Sequence, residues 1–221
     1  MAALAFLHTS PAHVAPFTAL LARLAPGVQA HHAVHADLLA RARAEGPTPA
    51  VRAALAQALD DTATTAQARL VVCTCSTLGP LAEALTSRPY AVQRIDRAMA
   101  AEAVASGPRI ALVAALASTL APTRALLEDA ARRAGRDVVI RDFLVHDAWP
   151  HFEAGDPPAY LDAVRTAAAR ARAGADVVVL AQASMAPAAA GWPAGVPVLA
   201  SPAPGVAAAL ATLGIAVAAP R

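Results

Sequence analysis

The chain has no lysine and no asparagine, and all 18 of its basic residues are arginine. The bias is of the kind a GC-rich coding sequence produces, and it has chemical consequences. Without lysine there is no Schiff base to pyridoxal phosphate, no amine nucleophile and no lysine-bearing phosphate loop. Without asparagine there is no N-glycosylation acceptor. Cysteine is nearly absent too: Cys73 and Cys75 are the only two, and they are too close in the chain to bridge each other comfortably. That excludes a disulfide scaffold and points to a reducing cytoplasm. Aromatics make up 4% and the net charge is +2, with arginines scattered rather than striped, so nucleic acid is not an expected partner. No stretch of about 18 apolar residues is clear of charge and proline, so no membrane span is expected. The N-terminal apolar run is short, lacks a charged leader and soon meets His8. It reads as a first strand, not a signal peptide.

What is present is a 57% hydrophobic, alanine-rich chain in which short branched runs alternate with helical patterns. Strands are predicted at Leu4–Leu7, Val28–His31, Leu70–Thr74, Ile110–Ala114, Val138–Phe143, Val177–Ala181 and Val196–Ala200. Helices are predicted at Ala15–Leu24, Ala36–Ala44, Thr48–Ala68, Leu81–Leu85, Asp96–Ala105, Pro122–Ala134, Pro157–Ala173 and Val206–Leu213. Strand and helix in steady succession indicate a parallel α/β sheet, and wholly apolar strands indicate helices on both faces. The pattern also repeats. Ala15–Leu21 echoes Ala121–Leu127 at an offset of 106, Val34-His35 recurs as Val145-His146 at 111, and Val71-Val72 as Val178-Val179 at 107. The expectation is an α/β protein of two pseudo-symmetric three-layer α/β/α lobes with mainly parallel sheets. Residues 1–94 plus 203–221 form the first lobe and 95–202 the second, with an interlobe cleft to take a small ligand. The Pro- and Gly-rich stretch Pro187 to Pro204 is a connector that returns the chain to the first lobe.

Hydroxyls follow the strands: Thr9-Ser10, Ser76-Thr77, Ser118-Thr119 and Ser184. Ligands of open α/β sheets bind at such strand ends. Hydroxyls and backbone N–H groups there suit a carboxylate, although Ser and Thr also simply cap helices. Cys75 falls at one of these ends, where a following helix favours thiolate, a base or nucleophile. A buried small hydrophobe is the alternative for Cys75, and Cys73 reads as inert packing. A C-x-C pair lacks the second ligand pair of a metal site. His31, His32 and His35 read as exposed or hydrogen-bonded rather than as metal ligands, and Arg94 and Asp96 as hydrogen-bonding residues where the lobes join.

The stretches Val71–Gly79 (VVCTCSTLG), Arg94–Met99 (RIDRAM), Ala115–Thr123 (ALASTLAPT) and Val177–Pro187 (VVVLAQASMAP) together resemble the aspartate/glutamate racemase superfamily over most of the chain. The resemblance implies two facing α/β lobes, a small-molecule carboxylate substrate, no cofactor and no metal. Relatives often pair, so a homodimer is possible. It also implies a proton abstraction alpha to the carboxylate of a small amino acid or related carbon acid, with Cys75 as base. Ser76 and Thr77 would hold carboxylate oxygens, and Thr9, Ser10, Ser118 and Thr119 would line the cleft. One departure stands out. The offset of 107 puts Gln182 where the family carries a second cysteine, and Ser184 opposite Thr77. An amide does not exchange protons usefully, so the second proton would come from Ser184, from a histidine such as His8 or His146, or from water. The alternatives are a one-cysteine decarboxylase or cis–trans isomerase, or a non-catalytic carboxylate-binding protein.

Overall fold

The computed structural model describes residues 3–218. Residues 1–2 and 219–221, which the expected first lobe includes, lie outside the described residues. Residues up to Ile95, together with those from Pro202 onward, form one compact unit, and Asp96–Ser201 form another.

The first unit holds β1 (Leu4–His8), α1 (Val14–Leu24), β2 (Ala30–Val34), α2 (Ala36–Glu45), α3 (Pro49–Ala66), β3 (Leu70–Cys73), α4 (Gly79–Glu83) and β4 (Ala91–Arg94). The second holds α5 (Arg97–Ser106), β5 (Arg109–Ala114), α6 (Ala117–Ala134), β6 (Val139–Leu144), α7 (Ala148–Glu153), α8 (Pro157–Ala171), β7 (Val177–Leu180) and β8 (Val198–Ala200). The chain closes with α9 (Pro202–Thr212), back in the first unit. Each unit contains one four-stranded sheet, in the order β2-β1-β3-β4 and β6-β5-β7-β8, and every described pairing is parallel. This is the α/β, two-lobed repeat that the alternating pattern predicts.

Side-chain alternation explains the layers, because successive strand residues point to opposite faces. In the second unit Ile110, Leu112 and Ala114 pack with Leu126 and Leu127 of α6, while Ala111 and Val113 pack with Tyr160, Val164 and Ala168 of α8. In the first, Ala5, Leu7, Val71 and Cys73 pack with Leu55 and Leu59 of α3. Phe6 faces the other way and meets Phe17 of α1 edge-on, with ring centroids 5.2 Å apart.

Register makes the repeat quantitative. Past the ends of β3 and β7, Thr74 N–H donates to the Leu7 carbonyl at 3.0 Å and Ala181 N–H to the Val113 carbonyl at 2.9 Å. Thr74 and Ala181 are therefore equivalent, as are Leu7 and Val113, and one residue further on Cys75 matches Gln182. The outer strand shifts one predicted match: His8 pairs with Val34 and Ala114 with Leu144, so Val34 corresponds to Leu144 rather than Val145.

Several predicted boundaries move, and two observed elements, β4 and α7, have no predicted counterpart. Strand β2 starts at Ala30, because Val28 N–H closes a turn onto the Ala25 carbonyl at 3.0 Å. β4 was not predicted, since AVQR is a short edge strand with little apolar signal. Helix α4 is only five residues long and starts at Gly79 rather than Leu81. Helix α6 starts at Ala117, not Pro122, which sits inside it. The Pro122 ring removes the N–H that would bond the Ser118 carbonyl, and the helix continues to Gly135, whose φ of +62° ends it in the left-handed region glycine favours. The predicted connector from Pro187 to Pro204 contains the end of a 3-10 helix over Ala183–Ala189, then β8 and the start of α9.

Candidate active site

The carboxyl edge of the first sheet gathers Thr9 and Ser10, after β1, beside Cys75, Ser76 and Thr77, after the adjacent β3. Cys75 is 7% exposed, Thr9 7% and Ser76 5%, while Ser10 and Thr77 are half-buried. The Cys75 carbonyl accepts from Gly79 N–H at 2.8 Å, which closes the turn into α4. Neither thiol is in a disulfide, and the Cys73 thiol is fully buried and directed to the Cys75 carbonyl at 3.7 Å. Part of the Ser10 side chain's capacity is already used, since its hydroxyl accepts from Ala12 N–H at 3.3 Å and caps the short 3-10 helix Pro11–His13. The guanidinium of Arg94, at the end of β4, lies over Gly79. A Cβ on that glycine would stand 2.9 Å from Arg94 Nε.

His8 is not a solvent-facing acid. It is fully buried, with Nδ1 2.9 Å from Thr74 Oγ1 and Nε2 2.9 Å from His32 Nδ1. The Thr74 hydroxyl donates to the Leu7 carbonyl at 3.1 Å, so it accepts from His8 Nδ1–H, and His8 Nε2 in turn accepts from His32 Nδ1–H. Burial, with smaller repulsions from His13 and His32, lowers the His8 pKa to about 3. Both nitrogens are engaged, so His8 has no proton to offer a ligand. His146, the other histidine considered, is exposed after β6. His31 and His32 are successive residues of β2 and point to opposite faces, so they do not converge on a metal.

In the second unit, Ser118 and Thr119 fall inside the first turn of α6 instead of in a loop before it. The Thr119 hydroxyl is buried and donates to the Leu116 carbonyl at 2.7 Å, which spends its proton on the backbone. Ser118 is half-buried. Gln182 follows β7 and is 6% exposed. Its Oε1 accepts from two successive backbone N–H groups just beyond β5, Ala115 at 2.7 Å and Leu116 at 3.1 Å. Ser184, half-buried in the 3-10 helix, is 2.7 Å from the Tyr160 hydroxyl. Tyr160 is 1% exposed, and burial raises its pKa to about 12, so it stays protonated and able to donate to Ser184.

Nothing in the sequence marks Tyr160 or Thr74 as neighbours of these edges, whereas His32 is hydrogen-bonded, as one of its two expected readings has it. Tyr160 reads as one more apolar residue on a helix face.

A doubled parallel α/β sheet with hydroxyls, one thiol and one cradled amide at its carboxyl edges defines a class of small-ligand enzyme folds. The family model for Asp/Glu/hydantoin racemase matches residues 10–209, and the chain belongs to that family. No curated protein sequence matches it. Among solved structures it is similar to Picrophilus torridus aspartate racemase, at 12% identity and a TM-score of 0.73, covering 97% of this chain and 95% of that one. It is also similar to allantoin racemase from Pseudomonas fluorescens, at 21% identity and a TM-score of 0.59, covering 99% and 94%. A third likeness is to the Gly74Cys mutant of arylmalonate decarboxylase, at 19% identity and a TM-score of 0.61, covering 98% and 96%. At these identities the likeness is one of fold. Among the described residues no helix is long and apolar enough to cross a membrane.

Proposed function

We propose that the protein is a cofactor-independent racemase or epimerase that uses Cys75 to remove the proton alpha to a carboxylate of a small amino acid or related carbon acid, with water returning a proton to the opposite face of the carbanion. The observation that carries this reading is the placement of Cys75. In a chain of the racemase family, the thiol that is not fully buried stands at the sheet's carboxyl edge beside Thr9, Ser76 and Thr77. Internal symmetry adds support. Gln182, the equivalent of Cys75, sits against Ala115 and Leu116 N–H, whose first-unit equivalents are Thr9 and Ser10. Amides in that position stabilise a thiolate. Ser76, Thr77 and the half-buried Ser10 then hold the carboxylate and the enolate charge that develops. A reducing, cytoplasmic setting suits the reading, because the base must remain a thiol.

The cradling of Gln182 favours a second reading on the same scaffold. An amide cannot carry the return proton, and Ser184 is tied to a tyrosine that stays protonated. One-thiol chemistry, either decarboxylation or cis–trans isomerisation, needs no second base. Incubating small amino acids, hydantoins and malonates in deuterated water separates the two. Solvent deuterium gained with loss of optical purity marks the first reading, and carbon dioxide release or double-bond isomerisation the second. In either case Cys75→Ser lowers kcat by about a thousandfold or more, a fall of the size expected when an activated nucleophile or base is lost. Undiminished turnover by that variant removes both readings.

A further inference from the structure

We propose that Gln182 is a fixed hydrogen-bond donor to a carboxylate or enolate oxygen of the ligand, standing where the family's second thiol would be. The proposal deepens the function above and rests on it in placing the ligand at these strand ends.

The orientation of the amide carries the argument. Oxygen and nitrogen of a glutamine amide are distinguished by their partners. One terminal atom of Gln182 receives two N–H donors, from Ala115 and Leu116, so it must be the oxygen. The other is then the NH2 group, which has no hydrogen-bond partner among the described residues. The side chain is 94% buried, being 6% exposed, yet its nitrogen is not among the buried polar atoms that lack partners, so it still reaches solvent. A buried side chain pinned at its oxygen and open only at its nitrogen is a pair of preorganised N–H donors. Such donors cost little reorganisation when they meet negative charge.

The surroundings agree. Two residues on, Ser184 is 2.7 Å from the Tyr160 hydroxyl, which stays protonated. When Tyr160 donates to Ser184, the serine hydrogen is left to point elsewhere, and it makes a third donor at the same strand end. None of the three can accept a proton from carbon. All can hold an oxyanion. This strand end of the second unit therefore binds charge and supplies no base.

The test uses the intact chain and two measurements. In the first, side-chain amide resonances are followed in 15N–1H spectra as malonate, and separately D- and L-aspartate and D- and L-glutamate, are added. The Gln182 NH2 pair is expected to shift with at least one of these probes, with the same midpoint as the backbone amides of Ala115 and Leu116 that hold its oxygen. In the second, Gln182→Glu keeps an oxygen for Ala115 and Leu116 but replaces the donor with a second oxygen. Its affinity for the shifting probe is expected to fall tenfold or more, with no loss of thermal stability. Gln182 resonances that stay put with every probe, even at saturation or the solubility limit, overturn the proposal. So does a Gln182→Glu protein that binds as tightly as the parent. Cys75→Ala separates this outcome from failure of the functional reading. It should abolish turnover while leaving the Gln182 shift intact, and full activity there would sink the base without touching the donor.

Discussion

Three histidines of the first unit make it acid-sensitive. Burial lowers the pKa of His8 to about 3 and of His13 to about 4, and it lowers that of His32 as well. The folded chain thus binds fewer protons than the unfolded chain once the pH drops below the ordinary histidine value of about 6.5. Stability from these residues is complete above that value and is lost as the pH falls through the window toward the folded values. Urea unfolding should show the protein roughly 2–4 kcal/mol less stable at pH 5 than at pH 7.5. His8→Gln should flatten part of that dependence, and a parent protein whose stability does not change across the window contradicts the burial argument. The His8 network also fixes Thr74, the residue before Cys75, which is held by both His8 and the Leu7 carbonyl.

Helix α9 packs closely at Gly205 against Ile95, the residue that follows β4. A Cβ on Gly205 would come within 2.0 Å of the Ile95 carbonyl oxygen, a backbone atom that cannot swing aside. Gly205→Ala should therefore cost about 2–3 kcal/mol by overpacking, read as a lower midpoint of thermal unfolding. An unchanged midpoint would mean the helix can slide. Caps are more forgiving. Thr48 accepts from Val51 N–H at 3.3 Å and starts α3, and Asp156 accepts from Ala159 N–H at 3.1 Å and starts α8. Each contributes on the order of 1 kcal/mol.

At the scale of the whole molecule, the second unit is one uninterrupted segment with apolar clusters on both faces of its own sheet, while the first is closed by the returning α9. A segment that carries its own core can fold alone. The fragment 96–201 is expected to give a far-UV circular dichroism spectrum of mixed helix and strand and one cooperative thermal transition. A broad, non-cooperative melt would show that the unit depends on the rest of the chain for its order.

The sequence by itself determined the alternation of strands and helices, the doubling of the sheet and the position of Cys75 just past a strand. Those signals are periodic and local, so they are written within a few residues of where they act. The same localness misled at β2 and α6, where a turn and an internal proline stood in for element boundaries. Tertiary structure decided the rest. The Gln182 oxygen meets amides 67 and 66 residues away, His8 meets Thr74 across 66 residues, and Tyr160 meets Ser184 across 24. No local pattern encodes such pairs. The Gln182 and His8 pairs exist because parallel pairing brings distant strand ends to one edge, and the Tyr160 pair because α8 packs against the segment after β7; that is what turns a glutamine that looked like a lost base into an oriented donor.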